Sequence, residues 1–217
     1  MPSSLSDLPA RLLMLVPVWL SLTVHEFAHA WSAFKLGDGT AQEQGRLTLN
    51  PLAHIDFIGT LILPLLGIPF GWAKPVPVNP LRFDRRWNIR HGMLLTAAAG
   101  PISNLLLALL STIVLGVMAR VGVIQTGAES YYVLLRMLIV INISLAVFNM
   151  LPLYPLDGSR VADGVMPDSM RPAWEKFCRV APFLFLGVII FGREIIAIPS
   201  EFLLTGLNGL LRLIING

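Results

Sequence analysis

The apolar run from Leu12 to Ala33 is long enough to cross a bilayer, and it contains His25, Glu26 and His29. A membrane crossing needs about 20 consecutive, mostly apolar residues in a helix, because no water is present to satisfy an open backbone. Three ionisable side chains in such a helix are costly unless they face a polar cavity, so they mark a site of chemistry or transport. The order His25-Glu26-Phe27-Ala28-His29 reads H-E-x-x-H. On a helix, residues four apart share a face, so the two imidazoles can bind one metal ion with Glu26 beside them. These residues predict a metalloprotease site inside a membrane.

The rest of the chain suits the same environment. Of 217 residues, 55% are hydrophobic and only 13% charged, and the mean hydropathy is +0.71. That leaves room for a single integral-membrane domain, residues 1–217, without a large extramembrane module. Further apolar segments run from Met93 to Ala119, from Tyr131 to Leu151 and over roughly Val180 to Phe191. A fifth, Phe202 to Ile215, is short and follows the helix start Pro199-Ser200-Glu201, so crossing the membrane and lying in its interface both stay open. Phe57 to Phe70 has about the length of a re-entrant element and is broken by Gly59, Pro64, Gly67 and Pro69. Gly45–Asn50 and Lys74–Asn79 alternate as short strands do, and prolines confine the second to a sheet edge. The predicted fold class is an all-α polytopic membrane protein with four to six membrane helices, a re-entrant element and a short β-strand pair near the cytoplasmic face. An edge strand at Arg46–Asn50 or Val76–Asn79 would suit an unwound substrate, held by strand addition.

Charge sets an orientation and removes several function classes. From Lys35 to Arg90 seven bases (Lys35, Arg46, Lys74, Arg82, Arg85, Arg86 and Arg90) face four acids, which places this region in the cytoplasm by the positive-inside rule. The first segment then runs inward, the Met93 segment outward and the Tyr131 segment inward again. The net charge of +3 is modest and its bases sit in loops, which fits topology signals and no nucleic-acid partner. The lone Cys178 excludes an intrachain disulfide and a thiolate cluster, so any metal must use His and carboxylate ligands. The first apolar segment lacks a small-residue cleavage pattern and carries the candidate ligands, so it reads as a retained helix and not as a signal peptide.

A catalytic zinc site usually takes three protein ligands and keeps a fourth position for water. Asp157 is the best third candidate, because the parity of the crossings brings it to the membrane face that holds His25 and His29. That parity requires 57–70 not to span. At these residues the chain resembles the site-2 protease family of intramembrane zinc metalloproteases. The pattern pairs H-E-x-x-H with a distal N-x-x-P-x-x-P-x-D-G element, here Asn149-Met150-Leu151-Pro152-Leu153-Tyr154-Pro155-Leu156-Asp157-Gly158. Ala99-Gly100-Pro101-Ile102-Ser103-Asn104 and Asn50-Pro51-Leu52-Ala53-His54-Ile55-Asp56 also resemble family elements. Tyr154 stands where many members carry proline, and no PDZ-like insert fits between the segments, so the match is to compact members. The resemblance implies one Zn2+ held by His25, His29 and Asp157, with Glu26 as general base. Asn149 is a candidate donor to substrate backbone or oxyanion. The implied partners are a transmembrane protein or peptide substrate and the lipid bilayer. Small size and the lack of organelle signals favour a prokaryotic plasma membrane, and the positive-inside reading sets the site toward the cytoplasm.

Other polar residues have plainer readings. His54 and Asp56 form an H-x-D pair, yet beside Asn50-Pro51 they suit turn and loop hydrogen bonds better than a second metal. Asn104 and Asn142 suit interhelical hydrogen bonding, and Gly100-Pro101 suits close helix approach. Trp19, Trp31, Trp72 and Trp87 suit packing or interfacial anchoring. The competing function is a non-catalytic metal-binding membrane protein or cation carrier. Such a carrier would be expected to show internal repeats, and the sequence has none.

Overall fold

The computed structural model describes residues 8–66, 71–124 and 129–217. Among them the regular elements are all helical: α1 (Leu8–Lys35), α2 (Thr40–Glu43), α3 (Leu63–Leu65), α4 (Ile89–Arg120), α5 (Ser130–Asn149), α6 (Asp157–Val165), α7 (Arg171–Phe191) and α8 (Arg193–Asn216), with short 3-10 and π turns between them. Among the described residues, three helices are long and apolar enough to cross a membrane, over Ile89–Arg120, Ser130–Asn149 and Glu194–Asn216. The stretch 202–215 therefore lies within a full-length apolar helix. The segment Val180–Phe191 is only the second half of α7, whose first half carries Arg171, Glu175, Lys176 and Arg179. α1 has 28 residues and is about 42 Å long. Of the four to six membrane helices read from sequence, these three are recognised by length and composition among the described residues.

α4 is the central helix and packs on α1, α5, α6 and α8. Its buried positions include Thr96, Gly100, Asn104, Ala108, Thr112 and Gly116, a stripe at four-residue spacing. Small residues there let backbones approach, and polar side chains can bond between helices. Its opposite side exposes Ile102, Leu105, Leu106, Leu109, Leu110 and Ile113. So large an uncovered apolar face does not suit water and is what acyl chains would cover. Ala108, Leu115, Ile139 and Ile143 form a core between α4 and α5, closed over by Leu203, Leu204, Leu207 and Leu211 of α8. A smaller cluster of Ala33, Leu36 and Phe83 closes the end where α1 leaves the bundle.

The re-entrant element flanked by paired strands is not supported, for there is no strand among the described residues. Phe57–Ile62 is a π-helical turn running into α3, and Asp56 caps it by accepting from the amides of Ile58 and Gly59. Residues 67–70 of the predicted element lie outside the described residues; the Thr60 hydroxyl donates to Trp72 O at 3.0 Å. Trp19 of α1 holds the same turn by donating to Thr60 O at 3.0 Å. The stretches 45–50 and 74–79 are joined by a side chain where a backbone ladder was expected. Buried Arg46 donates to the carbonyls of Lys74 and Pro75. Pro75 and Pro77 have no N–H to give to a ladder. The remaining donors in 74–79 include Lys74 N, bonded to His54 O at 2.9 Å, and Asn79 N, bonded to the buried Asp38 at 2.6 Å. Another donor of this stretch, Val76 N, is taken by Glu26, so few of its N–H groups are left for the strand addition read from the sequence.

Candidate functional site

α1 and α6 bring three predicted residues into one cluster. His25 and His29 lie one turn apart on α1, with their Nε2 atoms 3.0 Å apart. Asp157, the first residue of α6, places Oδ2 at 3.2 Å from each of those nitrogens. Both histidines are buried, and Asp157 keeps 17% of its side chain exposed. The far nitrogens are already engaged: Nδ1 of His29 donates to Thr96 O at 2.7 Å, and Nδ1 of His25 meets Oδ1 of Asn104 at 2.6 Å. A neutral imidazole that donates through Nδ1 keeps its Nε2 lone pair free. Asp157 Oδ2 is buried and accepts no conventional hydrogen bond among the described residues. Two nitrogen lone pairs and a carboxylate oxygen therefore converge on one point, which suits a cation. His25, His29 and Asp157 could hold one metal ion, with N and O donors of the kind zinc takes.

Local sequence explains why these side chains can meet. A Cβ on Gly100 would lie 2.6 Å from His25 Cε1 and closer still to His29 Nε2, so the glycine makes room for both imidazoles against α4. A Cβ on Gly158 would run into the carbonyls of Met150 and Leu151, so the turn into α6 also needs a bare backbone. The far end of α6 is tied by Arg90 of α4, which donates to the carbonyls of Asp163 and Met166 at 2.7 and 2.6 Å. Asp157 sits in the first turn of α6, where the helix dipole favours an anion.

Glu26 is buried beside the cluster, and its Oε2 accepts from Val76 N at 2.8 Å. Val76 stands between Pro75 and Pro77, so its N–H is the sole backbone donor of that tripeptide, and it points at Glu26. The spacing of prolines around one valine was the signal that sequence reading left unused. Asn149 lies at the end of α5, and its amide donates to Leu145 O at 3.0 Å, which leaves one of two amide hydrogens for another acceptor. His54 and Asp56 do not join the cluster. His54 Nε2 donates to Thr48 O at 2.9 Å and Asp56 caps the π turn, as the loop reading expected.

Sequence comparison adds an independent line. The family model of Peptidase family M50 matches residues 117–189, a stretch that holds α5, Asp157 and most of α7. A Bacillus subtilis protein named "Putative zinc metalloprotease YwhC" is 40% identical over 163 residues, covering 73% of this chain and 71% of its own. The chain belongs to peptidase family M50, the site-2 proteases. A second relative in this M50 comparison, "Putative zinc metalloprotease Rip2" of Mycolicibacterium smegmatis, is 31% identical over 179 residues, 82% of this chain and 64% of that one. Rip2 of Mycobacterium tuberculosis H37Rv is 35% identical over 98 residues, 45% of this chain and 38% of that one. No solved structure gives a significant match.

Proposed function

We propose that this M50 protein is an intramembrane zinc metalloprotease that hydrolyses peptide bonds in or near membrane-spanning segments of other proteins. The convergence of two imidazole nitrogens and a carboxylate oxygen within 3.2 Å carries the reading, and membership of a zinc-protease family supplies the chemistry. The carrier alternative has no such family support. His25, His29 and Asp157 are the ligands in this reading. Zinc held there would supply a Lewis acid that makes water acidic enough to attack near neutral pH and that polarises a carbonyl.

Glu26 takes the proton of the attacking water and returns it to the leaving amine. Its carboxylate is aimed by the Val76 amide, and Asn149 has one amide hydrogen to offer a substrate carbonyl. Residues 1–217 act as one domain, in which α1 crosses the membrane alongside α4, α5 and α8. The end of the bundle formed by loops 36–88 and 150–170 faces the cytoplasm of a prokaryotic plasma membrane, because the bases from Lys35 to Arg90 and from Arg160 to Arg179 gather there.

The test is cleavage of single-span membrane peptides by the purified full chain in detergent, with bound zinc quantified. Glu26→Gln is expected to keep its zinc and to lose roughly 10²- to 10⁴-fold in cleavage rate, the usual worth of a positioned base. Zinc in both proteins with equal cleavage would remove Glu26 from the mechanism; no zinc in either would end the metal reading. A second expectation concerns Val76→Pro. The position already precedes Pro77 and is biased toward extended backbone, so the change mainly deletes the N–H that Glu26 accepts. A hydrogen bond to a charged group contributes about 1.5–3 kcal/mol, so cleavage should fall roughly ten- to hundredfold with zinc content unchanged. Unchanged or faster cleavage would mean that this contact does not aim the base.

A further inference from the structure

Three transmembrane polar residues lie behind His25, and carbonyls fix the direction of every hydrogen bond among them. A backbone carbonyl can only accept. Asn142 Nδ2 donates to Leu138 O and to Ser21 Oγ, each at 2.8 Å, so the oxygen of that amide must face the other way. That oxygen accepts from Asn104 Nδ2 at 2.7 Å, and the same Nδ2 lies 3.2 Å from Ser21 O. Ser21 Oγ sends its own proton to Pro17 O at 2.6 Å. With Nδ2 of Asn104 committed to two acceptors, Oδ1 is the atom that faces His25 Nδ1 at 2.6 Å. His25 must then donate through Nδ1, and its Nε2 lone pair is left facing His29 and Asp157. Ser21, Asn104 and Asn142 are all 0% exposed, so no water competes for these bonds.

We infer that Asn104, latched by Asn142 and Ser21, is a positioning residue that holds His25 in the Nδ1–H tautomer and thereby sets the affinity of the site for its metal. The inference rests on the zinc reading of His25, His29 and Asp157. His29 needs no such device, since its Nδ1 is fixed by Thr96 O, a carbonyl of α4. Asn104 is the side-chain counterpart for the other ligand, on the same face of α4 two turns further on. Partners that fix a ligand imidazole in this way are typically worth 10- to 100-fold in metal affinity. A role confined to helix packing would change stability without changing which ring nitrogen carries the proton.

The test uses the full chain in detergent, with histidine labelled with nitrogen-15. In the metal-free protein at about pH 9, above the ordinary imidazole range, the His25 resonance should report a protonated Nδ1. Asn104→Leu should abolish that tautomer preference and weaken zinc binding ten- to hundredfold, measured by chelator competition with zinc alone. A wild-type His25 protonated at Nε2, or an Asn104→Leu protein with unchanged zinc affinity, would overturn the proposal. If Asn104→Leu does not fold, the wild-type tautomer still decides. If the wild-type protein binds no zinc, the metal reading fails while the tautomer measurement still judges what Asn104 does.

Discussion

Asp157→Asn is expected to give a folded protein that holds no zinc and cleaves no substrate. The argument begins from the oxygen it replaces. Asp157 Oδ2 stands 3.2 Å from both Nε2 atoms, which themselves sit 3.0 Å apart with lone pairs converging. Without a cation, that arrangement sets electron-rich atoms against one another. An amide nitrogen in the same position carries two hydrogens, one for each imidazole. The substitution therefore satisfies the cluster from within and fills the place a metal would take. Loss of a ligand should cost more than loss of an outer partner, so zinc affinity should fall by more than about 100-fold.

Stability separates this result from simple damage. A metal at 100 times its dissociation constant adds about 2.7 kcal/mol to the folded state, so the wild-type Tm should drop on chelation. The Asp157→Asn protein should melt at the same temperature with and without chelator, at or above the chelated wild type. Near-stoichiometric zinc in the variant would show that Asp157 is not a ligand. A chelator-independent Tm well below that of the chelated wild type would show that its role is structural.

What was legible in the sequence divides by range. H-E-x-x-H on an apolar run is a local pattern, and helix periodicity alone puts His25 and His29 together. Asp157 lies more than 120 positions away, yet it could be anticipated because each crossing reverses the chain and residues 36–88 bring α4 back from the end at which α1 stops. Gly100 and Asn104 were legible as sites of close approach and interhelical bonding, but the stripe they form with Thr96 and Ala108 emerged only from the packing of α4. The strand pair was not legible in the same way. Alternation in 45–50 and 74–79 carries no record that Arg46 would spend its guanidinium on the carbonyls opposite. Nor does it record that Glu26 and Asp38 would take amides that a ladder needs. The fifth apolar segment was undecided because 202–215 is short alone; the helix begins before Pro199, which lies inside α8.

Gly100→Ala should open the metal site by a single added methyl. Alanine is the better helix former by about 1 kcal/mol, so in an exposed helix the change would stabilise. At Gly100 the new carbon would lie 2.6 Å from His25 Cε1 and nearer to His29 Nε2. Those atoms belong to rings pinned behind by Asn104 and Thr96, so they cannot swing away without breaking bonds of 2.6 and 2.7 Å. Either α1 retreats from α4 or the imidazoles rotate, and both motions open the 3.0 to 3.2 Å cluster. Overpacking of this kind costs about 1–3 kcal/mol, outweighing the propensity gain. The core of Ala108, Leu115, Ile139 and Ile143 lies further along the bundle and should persist. The expected protein is helical by circular dichroism, binds little zinc and has no detectable cleavage. Gly206→Ala on α8 is the matched control, because its Cβ would meet nothing within 4 Å; that variant should keep its zinc, its activity and at least its wild-type Tm. Full zinc occupancy in Gly100→Ala would mean that α1 and α4 stand further apart than the site geometry requires.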